Sequence, residues 1–273
     1  MHRFYLPPNE WSSATLTGAE AHHARSVLRL AADDRAVVFD GHGREATVTI
    51  ETSASDGVHF RIVSETVTAP LRCRIVLAQA IPKGKNMDLI VQKAVEIGAA
   101  EIFPLVSART VVQLDPESAA QKQAKWQQVA IEAAKQCGQN WLPQVHTALT
   151  PEEFFRAVEA GVAPADPGAA PGAHPAGSVT PHRERPARVP LQFDLRLIGS
   201  LQPGARHLKE LLAEQPRRPG SVLMAIGPEG DFTPAEIALA RTHGCAPLTL
   251  GPIILRVETA AIYCLSILSY ELL

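Results

Sequence analysis

After Pro70 the chain alternates two kinds of segment, and this alternation constrains the fold more than any other feature. Short apolar-rich runs, RIVLAQAI (74–81), EIFPLV (101–106), LQFDLRLIG (191–199) and SVLMAIG (221–227), are separated by stretches with helix signals. A strand without a polar face is buried on both sides, and intervening helices supply the cover, so the pattern predicts an α/β fold with a parallel sheet. The helix signals are local. Asn86 reads as an N-cap and Gly98 as a left-handed stop. Asp115-Pro116 opens a helix to about Cys137, and Thr150-Pro-Glu-Glu153 is a capping box. ARHLKELLAE (205–214) reads as a helix. Thr233, Pro234 and Glu236 form a second box with proline at the first helical position. Ala246–Leu250 reads as a further strand.

Residues 1–70 follow another rhythm. AVVFD (36–40), EATVTI (45–50) and HFRIV (59–63) are short and β-branched, with GHG and SDG as turns between them. HHARSVLRL (22–30) reads as one capping helix with Val27 and Leu30 on its apolar face. The expectation is a small barrel at 1–70 and a larger domain at 71–273. Residues 161–190 are rich in Pro, Ala and Gly and poor in large apolar residues. The stretch at 162–190 therefore reads as a disordered insertion within the second domain. Its basic end, RERPAR, is either a solvated tether or an RNA contact.

Hydrophobic residues make up 46% of the chain, enough for a sizeable core, and the net charge of −2 announces neither nucleic acid nor membrane. Any RNA-binding surface must then be local. Cys73, Cys137, Cys245 and Cys264 show no CxxC spacing and read as buried thiols of a reducing compartment. MHRFYLPPNEW lacks the apolar core of a signal peptide. The run AAIYCLSILSYELL is shorter than the roughly 20 residues a membrane span needs. The expected location is the cytoplasm. No His/Cys/Asp cluster has metal-ligand spacing, so no metal is expected.

Two loops carry the chemistry. Gly227-Pro228-Glu229-Gly230 joins an apolar strand to the helix capped by Thr233, at the sheet edge where open α/β folds bind ligands. Neither a phosphate-binding GK[ST] nor a GxGxxG is present. A glutamate between glycines disfavours a polyphosphate and suits a cationic or hydroxyl-bearing ligand; a tight turn with a solvated Glu229 is the alternative. Gly251-Pro252 ends the next strand. Arg256 and Glu258 then precede a final helix that is apolar nearly all round. Such a helix is buried on most sides. Ile262, Leu265, Leu268 and Leu272 form one seam, and Tyr263, Ile267 and Tyr270 are left for a second subunit.

GPEG after an apolar strand, followed by LG-x-x-ILR-x-ETA, resembles the ribosomal RNA small subunit methyltransferase E family of the knotted SPOUT superfamily. KGKNMDLIVQKAVEIGAAEIFPLVSART (83–110) also resembles a segment of that family, and HHARSVLRL with FDGHGREATVTI resembles its PUA-like barrel. The resemblance covers nearly the whole chain outside 161–190. It implies a deep trefoil knot, a homodimer, and S-adenosylmethionine-dependent methylation of N3 of a uridine in 16S ribosomal RNA of the small subunit. It implies cofactor contacts at Ile198, Gly199, Gly227, Pro228, Glu229, Gly230, Leu250, Gly251, Ile254, Leu255, Arg256, Thr259 and Ala260. Arg256 and Glu258 become the candidate catalytic pair. Arg256 would stabilise charge on the uracil oxygens, and Glu258 would take the N3 proton or fix Arg256. An ion pair that only shapes the loop is the alternative. Arg29, Lys83, Lys85 and Arg109 are candidate RNA contacts or solvated cations. His22 and His23 meet RNA or decorate the helix.

Four positions depart from the family pattern. Asp231 replaces a glycine, Ile253 and Gln139 replace arginines, and Val257 replaces a threonine. Two lost cations and one added anion are expected to lower RNA affinity. Two other functions fit the same residues: a SPOUT methyltransferase with a different RNA site, and a non-catalytic RNA-binding protein that keeps the fold.

Overall fold

The computed structural model describes residues 1–111, 115–161 and 191–273. The stretch read as an insertion at 162–190 lies outside the described residues. The N-terminal unit contains β1 (His2–Tyr5), β2 (Thr15–Leu16), α1 (Gly18–His22), β3 (Arg35–Phe39), β4 (Arg44–Ala54) and β5 (Gly57–Val67). Its five strands pair in the order β1-β3-β4-β5-β2. They wrap one core that includes Phe4, Leu6, Leu16, Val38, Val48, Val58 and Phe60. The two short strands escape sequence reading because neither is long enough to show alternation.

The helix of this unit differs from its expected course. α1 starts at Gly18 and runs on into a single π-helical turn, His23–Val27. Ala21 and Ala24, not Val27, face the core, and Val27 is 61% exposed. The extra residue in the π turn rotates the face that a regular 3.6-residue period assigns. Leu28 is the C-cap, so residues 28–30 lie beyond the turn.

The second unit contains β6 (Arg74–Ala80), α2 (Asn86–Ile97), β7 (Glu101–Leu105), α3 (Pro116–Cys137), β8 (Gln144–Val145) and α4 (Pro151–Ala160). It continues with β9 (Leu195–Gly199), β10 (Arg206–His207), α5 (Leu208–Ala213), β11 (Ser221–Ile226), α6 (Pro234–Thr242), β12 (Ala246–Thr249) and α7 (Val257–Leu272). The helix expected at 205–214 is shortened to α5 because Arg206 and His207 pair with β12. Seven strands form an all-parallel sheet in the order β10-β12-β9-β11-β6-β7-β8.

Successive strand residues enter opposite cores, as the period of two requires. Ile75, Leu77, Val222 and Met224 join the α2, α3 and α7 side. Val76, Ala78, Leu223 and Ala225 join the α4 and α6 side. Both predicted capping boxes form, and Gly98 ends α2 at φ 97°. Asn86 is not a cap. It is the first residue of α2, and Lys85 holds the cap position without a side-chain bond.

The α7 seam differs from the expected one by a rotation. Val257, Ala261, Cys264, Leu265, Leu268 and Leu272 are buried. Ile262 is only half-buried, and Ile267 packs partly on its own core. Tyr263 and Tyr270 remain on the surface, the latter 87% exposed. Burial pushes the thiol of Cys73 up to about 11 and those of Cys245 and Cys264 up to about 12. Cys137 departs from the expectation of four buried thiols: it is exposed at the end of α3, and all four are free.

The two units meet through polar ties. The Arg3 guanidinium donates to Asn140 Oδ1 at 2.7 Å and pairs with Glu45. Trp141 Nε1 donates to the Thr68 carbonyl at 2.9 Å. Lys135 on α3 pairs with Glu20 of α1 at 3.0 Å. None of the described helices is long and apolar enough to cross a membrane.

Candidate functional site

The C-terminal ends of β9, β11 and β12, neighbours in the sheet, open onto a cavity of about 470 Å³. Three loops wall it: Gly199–Leu201, Gly227–Asp231, and Leu250–Arg256 leading into α7. The volume falls in the roughly 300–1,000 Å³ range of small-molecule sites. Of the residues singled out in the sequence, Gly199, Gly227, Pro228, Glu229, Leu250, Gly251, Ile254, Leu255, Arg256, Glu258 and Ala260 line it. Ile198 does not, being fully buried in the core beneath α4 and α6. Gly230 and Thr259 also lie outside the lining.

The GPEG turn is held from outside. Glu229 Oε1 accepts the Lys83 N–H at 2.8 Å. The Arg109 guanidinium donates to the Gly230 carbonyl. Glu236, besides closing its capping box, accepts the Ala108 N–H at 2.8 Å. The glutamate that raised the question of a cationic ligand thus ties its own loop to the one after β6. Arg109 likewise grips the turn rather than standing free at the surface.

Gly227 has no room for a side chain. A Cβ there would lie 2.9 Å from the Phe232 nitrogen and 3.2 Å from the Asp231 carbonyl carbon, both backbone. Gly227→Ala is therefore expected to destabilise the fold by about 1–3 kcal/mol, the range for overpacking. Urea unfolding checks this, and an unchanged midpoint would show that the turn has slack.

The third wall ends at a helix N-terminus. Arg256 occupies the N-cap of α7 and makes no side-chain capping bond. The first-turn N–H groups leave a positive end beside the cavity. Glu258 lies within the first turn of α7, not before the helix as its sequence context suggests. Its Oε2 accepts from Asn86 Nδ2 at 3.2 Å, joining α7 to α2. No ion pair joins Arg256 to Glu258 among the described residues. Arg256 is exposed and Glu258 half-buried.

Sequence reading missed Asn86, Ser200, Leu201 and Asp231 as wall residues. Asn86 was the detectable one, since a polar residue directly after KGK at a strand end invited a functional reading besides capping. Ile253, in place of an arginine, is an exposed wall residue, whereas Val257 is buried in the core beside the cavity. Gln139 accepts the Trp141 N–H at 3.4 Å. Lys83 and Lys85 are exposed beside the cavity's Glu229 tie. Arg29 is exposed on the N-terminal unit in a left-handed conformation, φ 55°. His22 is exposed, and the His23 ring stands edge-on to Phe4 at 6.0 Å. No group of three or more His, Cys, Asp or Glu residues among the described residues has metal-binding geometry.

A model of the RNA methyltransferase domain matches residues 69–173 and 182–269, and a model of the RNA methyltransferase PUA domain matches 16–63. Ribosomal RNA small subunit methyltransferase E of Synechocystis is 32% identical over 262 residues, which cover 95% of this chain and 74% of that protein. The chain belongs to the ribosomal RNA small subunit methyltransferase E family. The member from Bacillus subtilis is 28% identical over 94% of this chain and 90% of its own. A Legionella pneumophila methyltransferase solved with bound S-adenosylmethionine superposes with a TM-score of 0.78 at 32% identity, covering 98% of this chain and 96% of that one. The family member from Neisseria gonorrhoeae, also bound to S-adenosylmethionine, gives 0.74 at 27% identity, covering 99% and 97%.

Proposed function

We propose that this methyltransferase uses S-adenosylmethionine to methylate N3 of one uridine in 16S ribosomal RNA of the small subunit. The observation that carries the reading is the three-loop cavity at the ends of β9, β11 and β12, in a chain of this family. The cavity suits the cofactor by its volume, its largely loop-built walls, and the positive end of α7 available to a carboxylate. Gly199, Gly227–Glu229, Leu250–Arg256 and Ala260 hold the cofactor, with Ile198, Gly230 and Thr259 outside the lining that meets it. When bound, S-adenosylmethionine supplies an electrophilic methyl group. The protein must orient the uridine and manage its proton. Arg256 stabilises negative charge on the uracil oxygens. Glu258, held by Asn86, is a wall carboxylate available to the N3 proton.

Residues 1–70 form the PUA-like RNA-binding unit and 71–273 the catalytic one, with the trefoil knot of its superfamily. Arg29, Lys83 and Lys85 contact RNA phosphate, and Arg109 acts by holding the GPEG turn. The enzyme works in the cytoplasm as a homodimer. The exposed stripe of Tyr263 and Tyr270 on α7, with Ile253 and Ile254 beside the cavity, supports the dimer. Light scattering at the mass of two chains agrees with it, and a single-chain mass overturns it.

Primer extension on ribosomal RNA tests the activity, because a methyl group on N3 blocks base pairing and stops reverse transcription. One stop in 16S RNA is expected to vanish in a strain lacking the gene and to return with it. No changed stop in 16S RNA would overturn the reading, and a changed stop elsewhere would favour a different RNA target.

A further inference from the structure

Asp231 is one of four non-glycine residues at positive φ among the described residues, at 61°. An L-residue in this region is strained, and aspartate tolerates it by bonding its own surroundings. The Asp231 N–H donates to the Pro228 carbonyl at 2.9 Å, closing the GPEG turn. Its Oδ1 accepts the Phe232 N–H at 2.8 Å. Its Oδ2 reaches across to the loop after β9 and accepts the Leu201 N–H at 2.9 Å. Asp231 and Leu201 both line the cavity, on different walls. Leu201 is 61% exposed, so apolar packing does little to hold its wall in place. The sequence marks Asp231 only as an added anion; in the structure both of its carboxylate oxygens are engaged by backbone N–H groups, one of them across the cavity.

We propose that Asp231 is a positioning residue that fastens the Gly227–Asp231 wall to the Gly199–Leu201 wall and thereby sets the affinity for S-adenosylmethionine. The inference rests on the cofactor reading above. A carboxylate accepting from backbone N–H is a strong, directional tie. Without it, the Leu201 loop must be ordered by the cofactor itself, and that ordering weakens binding. Arg256 and Glu258 stand on the third wall, so the chemical step is untouched once the cofactor is bound.

Asp231→Gly tests this directly, since glycine adopts the left-handed turn without strain yet cannot reach Leu201. The expected result is about tenfold weaker S-adenosylmethionine binding by calorimetry, with kcat at saturating cofactor within about twofold of the parent. Asp231→Asn tolerates the same backbone and keeps one carbonyl oxygen, so its affinity should fall between the two. It also carries the test if the glycine variant melts far below the parent. Parent protein that binds no cofactor at millimolar concentration overturns the cofactor reading itself. A parent that binds, with an Asp231→Gly variant of equal affinity, overturns only the role of Asp231. A variant that loses kcat as much as affinity also overturns it, because the residue would then act in the chemical step.

Discussion

Arg256→Ala is expected to lower kcat for methyl transfer by about 10²–10³, the loss seen when one preorganised donor to a developing anion is removed. Arg256 is the arginine on the cavity wall, at the N-cap of α7. Its guanidinium has no carboxylate partner among the described ion pairs, since Glu258 is held by Asn86 instead. A cation not neutralised by its neighbour keeps its field for the substrate. Overall folding should survive, because Arg256 is exposed and caps nothing through its side chain. Single-turnover methylation of ribosomal RNA, with cofactor binding measured separately, checks the outcome. Unchanged kcat would remove Arg256 from the chemical step. Loss of cofactor affinity alone would make it a carboxylate clamp.

Glu101→Ala is expected to cost about 3–5 kcal/mol of stability at pH 7, since it strips the carboxylate from a buried charged network. Glu101 lies at the start of β7 and is 4% exposed. Its Oε1 accepts from Arg74 Nε and its Oε2 from His146 Nε2, both at 2.9 Å. The His146 ring lies flat on Phe103 at 3.8 Å. Burial alone would raise the Glu101 pKa, but the hydrogen bond from His146 and the charge of Arg74 outweigh it and leave it below the ordinary 4.5. A carboxylate whose folded value is depressed stabilises the protein above its unfolded pKa, and that contribution is lost as pH falls through the folded value. The parent should therefore lose this part of its stability only below about pH 4.5, and Glu101→Ala should lack that acid-side loss. Urea unfolding at several pH values measures both effects. Equal acid sensitivity in the two proteins would show that other carboxylates govern it.

The places where sequence reading succeeded and failed differ in reach. Both capping boxes close over three residues, and Gly98 stops α2 by its own backbone freedom, so short windows suffice. The apolar runs after Pro70 announced a sheet covered on both faces, because burial leaves no polar positions along a strand. Asn86 misled for the opposite reason. Its side-chain partner is Glu258, 172 residues on, and no local window reveals a partner that distant. Val27 misled because one π turn changes the helical phase without a sequence mark. Ile262 and Ile267, read as core and partner-facing, are both half-buried, because a helix apolar nearly all round has no contrast from which to read a face.

By itself the sequence determined the α/β class, the order of most elements, and two of the three loops that wall the cavity. Those properties rest on period, turn residues and caps, which act within a few residues. The tertiary structure decided the rest. It brought β9, β11 and β12 side by side, added Ser200 and Leu201 to the wall at Gly199, and set Glu229 on Lys83, Asp231 on Leu201 and Asn86 on Glu258. Each of these ties depends on strand order, and strand order is fixed by which apolar faces pack together across the whole chain, a choice that no local pattern records.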